Sequence, residues 1–111
     1  MPMLNLKCSK DIPADLLPEL SKLVAEGIGK PEHYVMVVVD KAPIMMSGAE
    51  GDAAYAEIKS LGGLSGEVNH SLSASLCSLL NEKLGIPPER VYINFQSFER
   101  DHWGWNNSTF G

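Results

Sequence analysis

The chain has 111 residues, 44% of them apolar, with a net charge of −5 at neutral pH and a pI near 5.0. That length holds one domain over residues 1–111 rather than two independent cores, and the apolar share excludes a disordered or coiled-coil chain. An acidic chain whose lysines are scattered (Lys22, Lys30 and Lys41 are widely spaced) lacks the electrostatic basis of nucleic-acid binding, and no segment approaches the roughly 18–20 apolar residues of a membrane span.

In chain order, a first strand is expected over Met3–Lys7. From Leu16 to Ile28 the apolar residues Leu16, Leu17, Leu20, Leu23, Val24 and Ile28 recur at steps of three and four, which predicts a helix with one buried face. Pro13 and Pro18 sit at its front, where the early backbone donors have no intrahelical partner. Gly27 and Gly29 weaken its end and Pro31 forbids continuation. Tyr34–Val39 (YVMVVV) is a short, β-branched, unbroken apolar run, the mark of a strand covered on both faces. An irregular connection follows, with a short strand near Ile44–Met46.

The second half repeats the plan. A strand is expected near Tyr55–Ser60, then a helix whose stripe is Val68, Leu72, Leu76, Leu79, Leu80 and Leu84, closed by Gly85. Ser65-Gly66-Glu67 reads as its N-terminal cap. A strand over Val91–Phe95 comes next. A shift of 56 positions lays Leu20 on Leu76, Leu23 on Leu79, Gly29 on Gly85, Pro31 on Pro87 and Val35 on Val91. The halves, about 1–47 and 48–111, therefore form a tandem β-α-β pseudo-repeat of α/β (α+β) class. It predicts a four-stranded mixed sheet with two helices on one face. Two helices cover only one face, so YVMVVV predicts that the other meets a further copy of the chain.

Cys8 and Cys77 form no C-x-x-C and no metal-ligand spacing, and His33, His70 and His102 have no ligand partner at helical or cysteine spacing, so no metal is expected. No phosphate-binding or dinucleotide fingerprint is present, so no cofactor is expected. The N-terminus lacks the apolar core and cleavage site of a secretory leader. With two distant cysteines, this points to a reduced cytoplasmic protein, any export being non-classical. The sequons at Asn106 and Asn107 then carry no glycan.

Four segments now carry a resemblance: Met1-Pro2-Met3, Gly29-Lys30-Pro31, Arg90-Val91-Tyr92-Ile93-Asn94-Phe95, and Gly104-Trp105-Asn106-Asn107-Ser108-Thr109-Phe110. In order and spacing, over essentially the whole chain, they resemble the macrophage migration inhibitory factor family of the tautomerase superfamily. The resemblance implies a homotrimer with sites at subunit interfaces, and a catalytic N-terminal proline, here Pro2, exposed when the initiator methionine is removed. An α-amino group titrates at about 7.7–8, and an apolar site lowers that value by disfavouring the ammonium. Such an amine can take a proton from carbon beside a carbonyl, which begins a tautomerisation. While Met1 remains attached, the Pro2 nitrogen is a tertiary amide with no proton and no basicity.

By the same resemblance Lys30 engages the substrate carboxylate, and Ser60 and Leu61 flank the proline and orient the ligand. Tyr92 and Asn94 reach the site from a neighbouring subunit; two residues apart in a strand, they point the same way. Met3, Leu61, Trp103, Trp105 and Phe110 line the pocket. The implied activity is keto–enol conversion of an aryl α-keto acid such as phenylpyruvate. Two alternatives stand beside it: an interaction protein with a vestigial pocket, and a related enzyme that decarboxylates or dehalogenates another small carboxylate.

The sequence departs from the family's animal members. Ala53-Ala54-Tyr55-Ala56 replaces a C-x-x-C, which removes any dithiol chemistry. Trp103 replaces a smaller aliphatic residue, Gln96 a tyrosine and Lys59 a histidine, so substrate preference does not carry over. The loop from Lys41 to Asp52 also differs, which leaves a receptor partner weakly supported.

Overall fold

Alternation along two strands decides where the core lies. In β1 (Pro2–Cys8) Leu4, Leu6 and Cys8 are fully buried, while Met3, Asn5 and Lys7 point the other way. In β5 (Ala54–Ser60) Ala54, Ala56, Ile58 and Ser60 are buried on the same side. The computed structural model describes residues 1–111 and adds α1 (Leu16–Ile28), β2 (Met36–Lys41), a hairpin of β3 (Met45–Met46) and β4 (Ala49–Glu50), α2 (Gly66–Leu84), β6 (Val91–Ser97), and a closing hairpin of β7 (Gly104–Trp105) and β8 (Ser108–Thr109).

The four long strands form one sheet in the order β2-β1-β5-β6. β1 runs parallel to β2 and β5 parallel to β6, while β1 and β5 meet antiparallel. This is the mixed sheet expected from two β-α-β units. The halves are related by an approximate two-fold axis through the Asn5–Glu57 pair, which are opposite each other at the seam. Met3 lies beside Met36 as Tyr55 lies beside Tyr92, so the strands match at an offset of 52 and the later parts at 56. The difference lies in the helices, 13 residues in α1 and 19 in α2, partly offset by a shorter lead-in to α2.

Each helix buries a stripe at four-residue spacing: Leu16, Leu20, Val24 and Ile28 in α1, and Leu72, Leu76, Leu80 and Leu84 in α2. Both stripes join the strands' inward residues in a single cluster. Burying each such leucine contributes about 1.5–3 kcal/mol. The Ser65 hydroxyl accepts the Val68 N–H at 3.1 Å and caps α2, as expected. The left-handed Gly29 and Gly85 end the two helices and donate to Ala25 and Asn81. Gly27 has a packing reason: a Cβ there would run into Leu72 Cδ2 on the other helix.

One expectation needs correction. The run Tyr34–Val39 is not all strand, because the chain first makes a tight turn over Glu32–Tyr34, with Tyr34 N–H donating to Pro31 and Val35 N–H to Glu32. The strand opens at Met36. The open sheet face is apolar at one end only. Met36, Val38 and Met3 make it so near β2, but the rest carries Asn5, Lys7, Tyr55, Glu57, Lys59, Tyr92, Asn94 and Gln96. The apolar run reported only on one edge strand, and the other strands alternate.

The hairpin between the halves is clamped by Arg90. Its guanidinium donates to the carbonyls of Asp52 (2.8 Å), Met46 (3.2 Å) and Ala49 (3.1 Å). Charge-assisted bonds of this kind are stronger than neutral ones. Arg90→Met should lower stability by about 1–3 kcal/mol and speed amide exchange across residues 46–52. Unchanged exchange there would show that the clamp holds nothing.

Candidate active site beside Pro2

Pro2 begins β1, fully buried and opposite Ser60 on β5. It lies at the back of a cleft of roughly 550 Å³. The floor is the row Met36, Met3 and Lys59, contributed by three adjacent strands. One wall is the turn carrying His33 and Tyr34; the other is the C-terminal segment with Phe98, His102, Trp103 and Trp105. Phe98 meets Trp103 edge-on at 5.5 Å, and Phe110 stacks on Trp105 at 5.7 Å, nearly parallel. The Phe110 N–H reaches the Arg100 and Trp103 carbonyls, so Phe110 braces the aromatic wall without lining the cleft.

The C-terminal hairpin explains part of the signature around these aromatics. Asn106 and Asn107 both hold positive φ, 51° and 67°, as a two-residue turn between β7 and β8 requires. Asparagine tolerates that conformation, so the Asn-Asn pair aims Trp105 and Phe110.

Around Pro2 the backbone is tightly organised. Leu61 N–H donates to the Met1 carbonyl at 3.1 Å, and the Lys30 ammonium donates to the Leu61 carbonyl at 3.4 Å. Lys30 follows the glycine that ends α1, and its stem passes Gly63, where a Cβ would lie 3.3 Å from Lys30 Cε and 2.7 Å from Ile28 Cγ2. Gly63 is at φ +84°, so no other residue fits this position without strain. The Ser60 hydroxyl donates to the Gly62 carbonyl at 2.5 Å from a fully buried position. That bond commits the hydroxyl's proton to shaping the turn.

The terminal amine at Met1 is held below its ordinary value, first by burial and then by the positive charge of Lys30. Lys30→Met should therefore raise that amine's pKa, read by NMR titration of the amino-terminal residue. A titration that did not move would remove Lys30 from the electrostatics of this end.

Tyr92 and Asn94 lie elsewhere. Tyr92 is level with Tyr55, five residues along β6 from Ser97, the residue level with Ser60 and Pro2. That is about 16 Å along the strand. Asn94 Oδ1 accepts the Tyr55 hydroxyl at 2.9 Å, a proton for which Glu57 competes at 3.0 Å. Within one chain, then, Pro2, Met3, Trp103 and Trp105 come together, Lys30, Leu61 and Phe110 adjoin them, and Tyr92 and Asn94 are remote.

Sequence reasoning did not single out Tyr34, Met36 or Phe98, and took His33 and His102 only as loop histidines. Met36 stands beside Met3 on the parallel neighbour strand, a placement only the register reveals. The others depend on how two turns fold back over the sheet end. No group of three His, Cys, Asp or Glu side chains is placed to hold a metal, and no helix is long and apolar enough to cross a membrane.

Comparison with known proteins agrees with this architecture. The family model "Macrophage migration inhibitory factor (MIF)" matches residues 1–111. A homologue from Trichuris trichiura is 43% identical over 103 residues, covering 92% of this chain and 90% of its own length. The Xenopus tropicalis factor is 38% identical over 104 residues, covering 93% and 90%. The crystal structure of the Prochlorococcus marinus homologue superposes with a TM-score of 0.93 at 41% identity, over 98% of this chain and 99% of that one. By sequence and by fold, the chain belongs to the macrophage migration inhibitory factor family, within the tautomerase superfamily.

Proposed function

We propose that the protein is a keto–enol tautomerase of aryl α-keto acids such as phenylpyruvate, working as a single domain with the amine of Pro2 as its base. The observation that carries this is the position of Pro2 at the back of an aromatic-walled cleft, at a chain end where burial and Lys30 both disfavour an ammonium. Removal of Met1 supplies the secondary amine. It also frees the Leu61 N–H from the Met1 carbonyl, leaving a donor beside the Lys30 ammonium. Those two groups suit a carboxylate, and the tryptophans suit an aryl ring.

The reaction then runs as follows. The neutral amine takes a proton from the carbon between the ring and the ketone. The C–H electron pair forms the carbon–carbon double bond, and the carbonyl oxygen gains a proton to give the enol. Nothing is oxidised or reduced overall, and no cofactor is required.

The reading includes a homotrimer in which a neighbour supplies Tyr92 and Asn94 to each cleft. Supporting it are the large apolar side chains left exposed at Met36, Met45, Tyr92 and Trp105, and the unpaired outer edges of β2 and β6. A cytoplasmic setting accords with the free thiols of Cys8 and Cys77.

The test is ultraviolet-monitored conversion of phenylpyruvate by protein whose loss of Met1 is confirmed by intact mass. Conversion well above the buffer rate is the expected result. No conversion would overturn the enzyme reading for aryl keto acids and leave ligand or partner binding as the use of the cleft.

A further inference from the structure

The chain carries 14 acidic and 9 basic residues, yet the cleft at Pro2 is lined by three basic side chains, Lys59, His33 and His102, and by no acidic one. Lys59 is also the least engaged of the ion-paired lysines. Lys7, Lys10, Lys41 and Lys83 each hold a carboxylate at 2.7–3.3 Å. The one carboxylate near Lys59, that of Glu57, stands off at 3.9 Å, and the ammonium makes no side-chain hydrogen bond. His102 has Asp101 beside it at 3.9 Å, outside the cleft lining. A lysine with three free donors at the floor of an aromatic cleft is a site for a second anion.

The keto acid's own carboxylate does not account for it. In the proposed function that group is met by Lys30 and the Leu61 N–H, which adjoin Met1 and are not among the residues that line the cleft. Lys59 instead lies beside Met3 and Gln96 on the open face, level with the floor on which the ring would rest. We infer that Lys59, supported by His33 and His102, forms a subsite for an anionic substituent on the ring. The preferred substrates would then be aryl keto acids carrying a second carboxylate remote from the keto acid head. The inference rests on the tautomerase reading for its substrate class but not for its charge argument.

The experiment uses the full chain freed of Met1, and compares phenylpyruvate with 4-carboxyphenylpyruvate in turnover, and cinnamate with 4-carboxycinnamate in binding followed by NMR. The dianion should be favoured by at least about threefold in kcat/KM or Kd, the scale of one partly exposed ion pair, and the advantage should shrink as salt is raised. In Lys59→Met the ratio should fall to near one; in the His33→Gln/His102→Gln double variant it should fall part of the way. A dianion no better than the monoanion in the wild type would overturn the subsite. So would a ratio unmoved by Lys59→Met, including the case in which Lys59→Met weakens both ligands equally and so serves the head carboxylate. If neither keto acid is turned over, the tautomerase reading has failed, and the two cinnamates still decide the subsite.

Discussion

Phenylpyruvate conversion falls by about 10²–10⁴ in kcat/KM when Met1 is retained, the range expected for removing a placed general base. Retention makes the Pro2 nitrogen an amide and sends the Met1 carbonyl back to the Leu61 N–H, so one change removes both the base and a donor for the carboxylate. Met1 also lines the cleft. Pro2→Gly, with Met1 removed, separates these effects. It keeps an amine and the free Leu61 N–H, but loses the buried ring that fixes the nitrogen. Its activity should fall between the two, by one to two orders of magnitude, as expected for loss of orientation. For the processed protein, kcat/KM should rise with pH as the Pro2 amine loses its proton, with that limb below the ordinary range of a terminal amine if burial and Lys30 act on it as they do on the Met1 amine at the same chain end. Equal rates for retained and processed protein would remove the amine from the mechanism.

The second large effect is on stability. Leu20 and Leu76 occupy equivalent positions in the two helices and are both fully sealed from solvent. Each, changed to alanine, should cost about 2–5 kcal/mol, read as a lower urea midpoint with unchanged slope. A domain of this size has roughly 5–15 kcal/mol in hand, so either substitution removes a large share and both together should leave little folded protein. A marked difference between the two would mean that the halves, though alike in plan, fill their spaces unequally. Gly27, pressed against Leu72 in one helix, marks where such an asymmetry would arise.

Much of this fold was legible because each element carries its own period. The four-residue steps of Leu16, Leu20, Val24 and Ile28, and of Leu72, Leu76, Leu80 and Leu84, identify the helices and their buried faces without reference to anything distant. The pairing of β1 with β5 at the seam was not legible, because register depends on the whole sheet. Nor was the polar character of the open face, which belongs to four strands at once. At the site, Pro2, Lys30, Trp103 and Trp105 came from the family resemblance and not from local physics. Tyr34 escaped notice because it ends a tight turn that is invisible in an apolar run, and Met36 because it opens the strand that follows; both line the cleft. What the Ser60 hydroxyl does was equally illegible, since its partner is a carbonyl two residues away in a turn.

The two-fold relation across the Asn5–Glu57 pair bears on how this chain is tethered. Each half contains two parallel strands and the helix that joins them, and neither covers the other's share of the core. The segment between β2 and β5 holds the halves together without contributing a strand to the main sheet. A nick in the hairpin loop at Ser47–Gly48 would thus leave every main-sheet strand intact. The fragments should reassemble, with the lost tether felt as a concentration dependence in the millimolar effective range of a short linker. By the same geometry, a chain half as long could complete this sheet only by laying its first strand antiparallel against that of an identical copy.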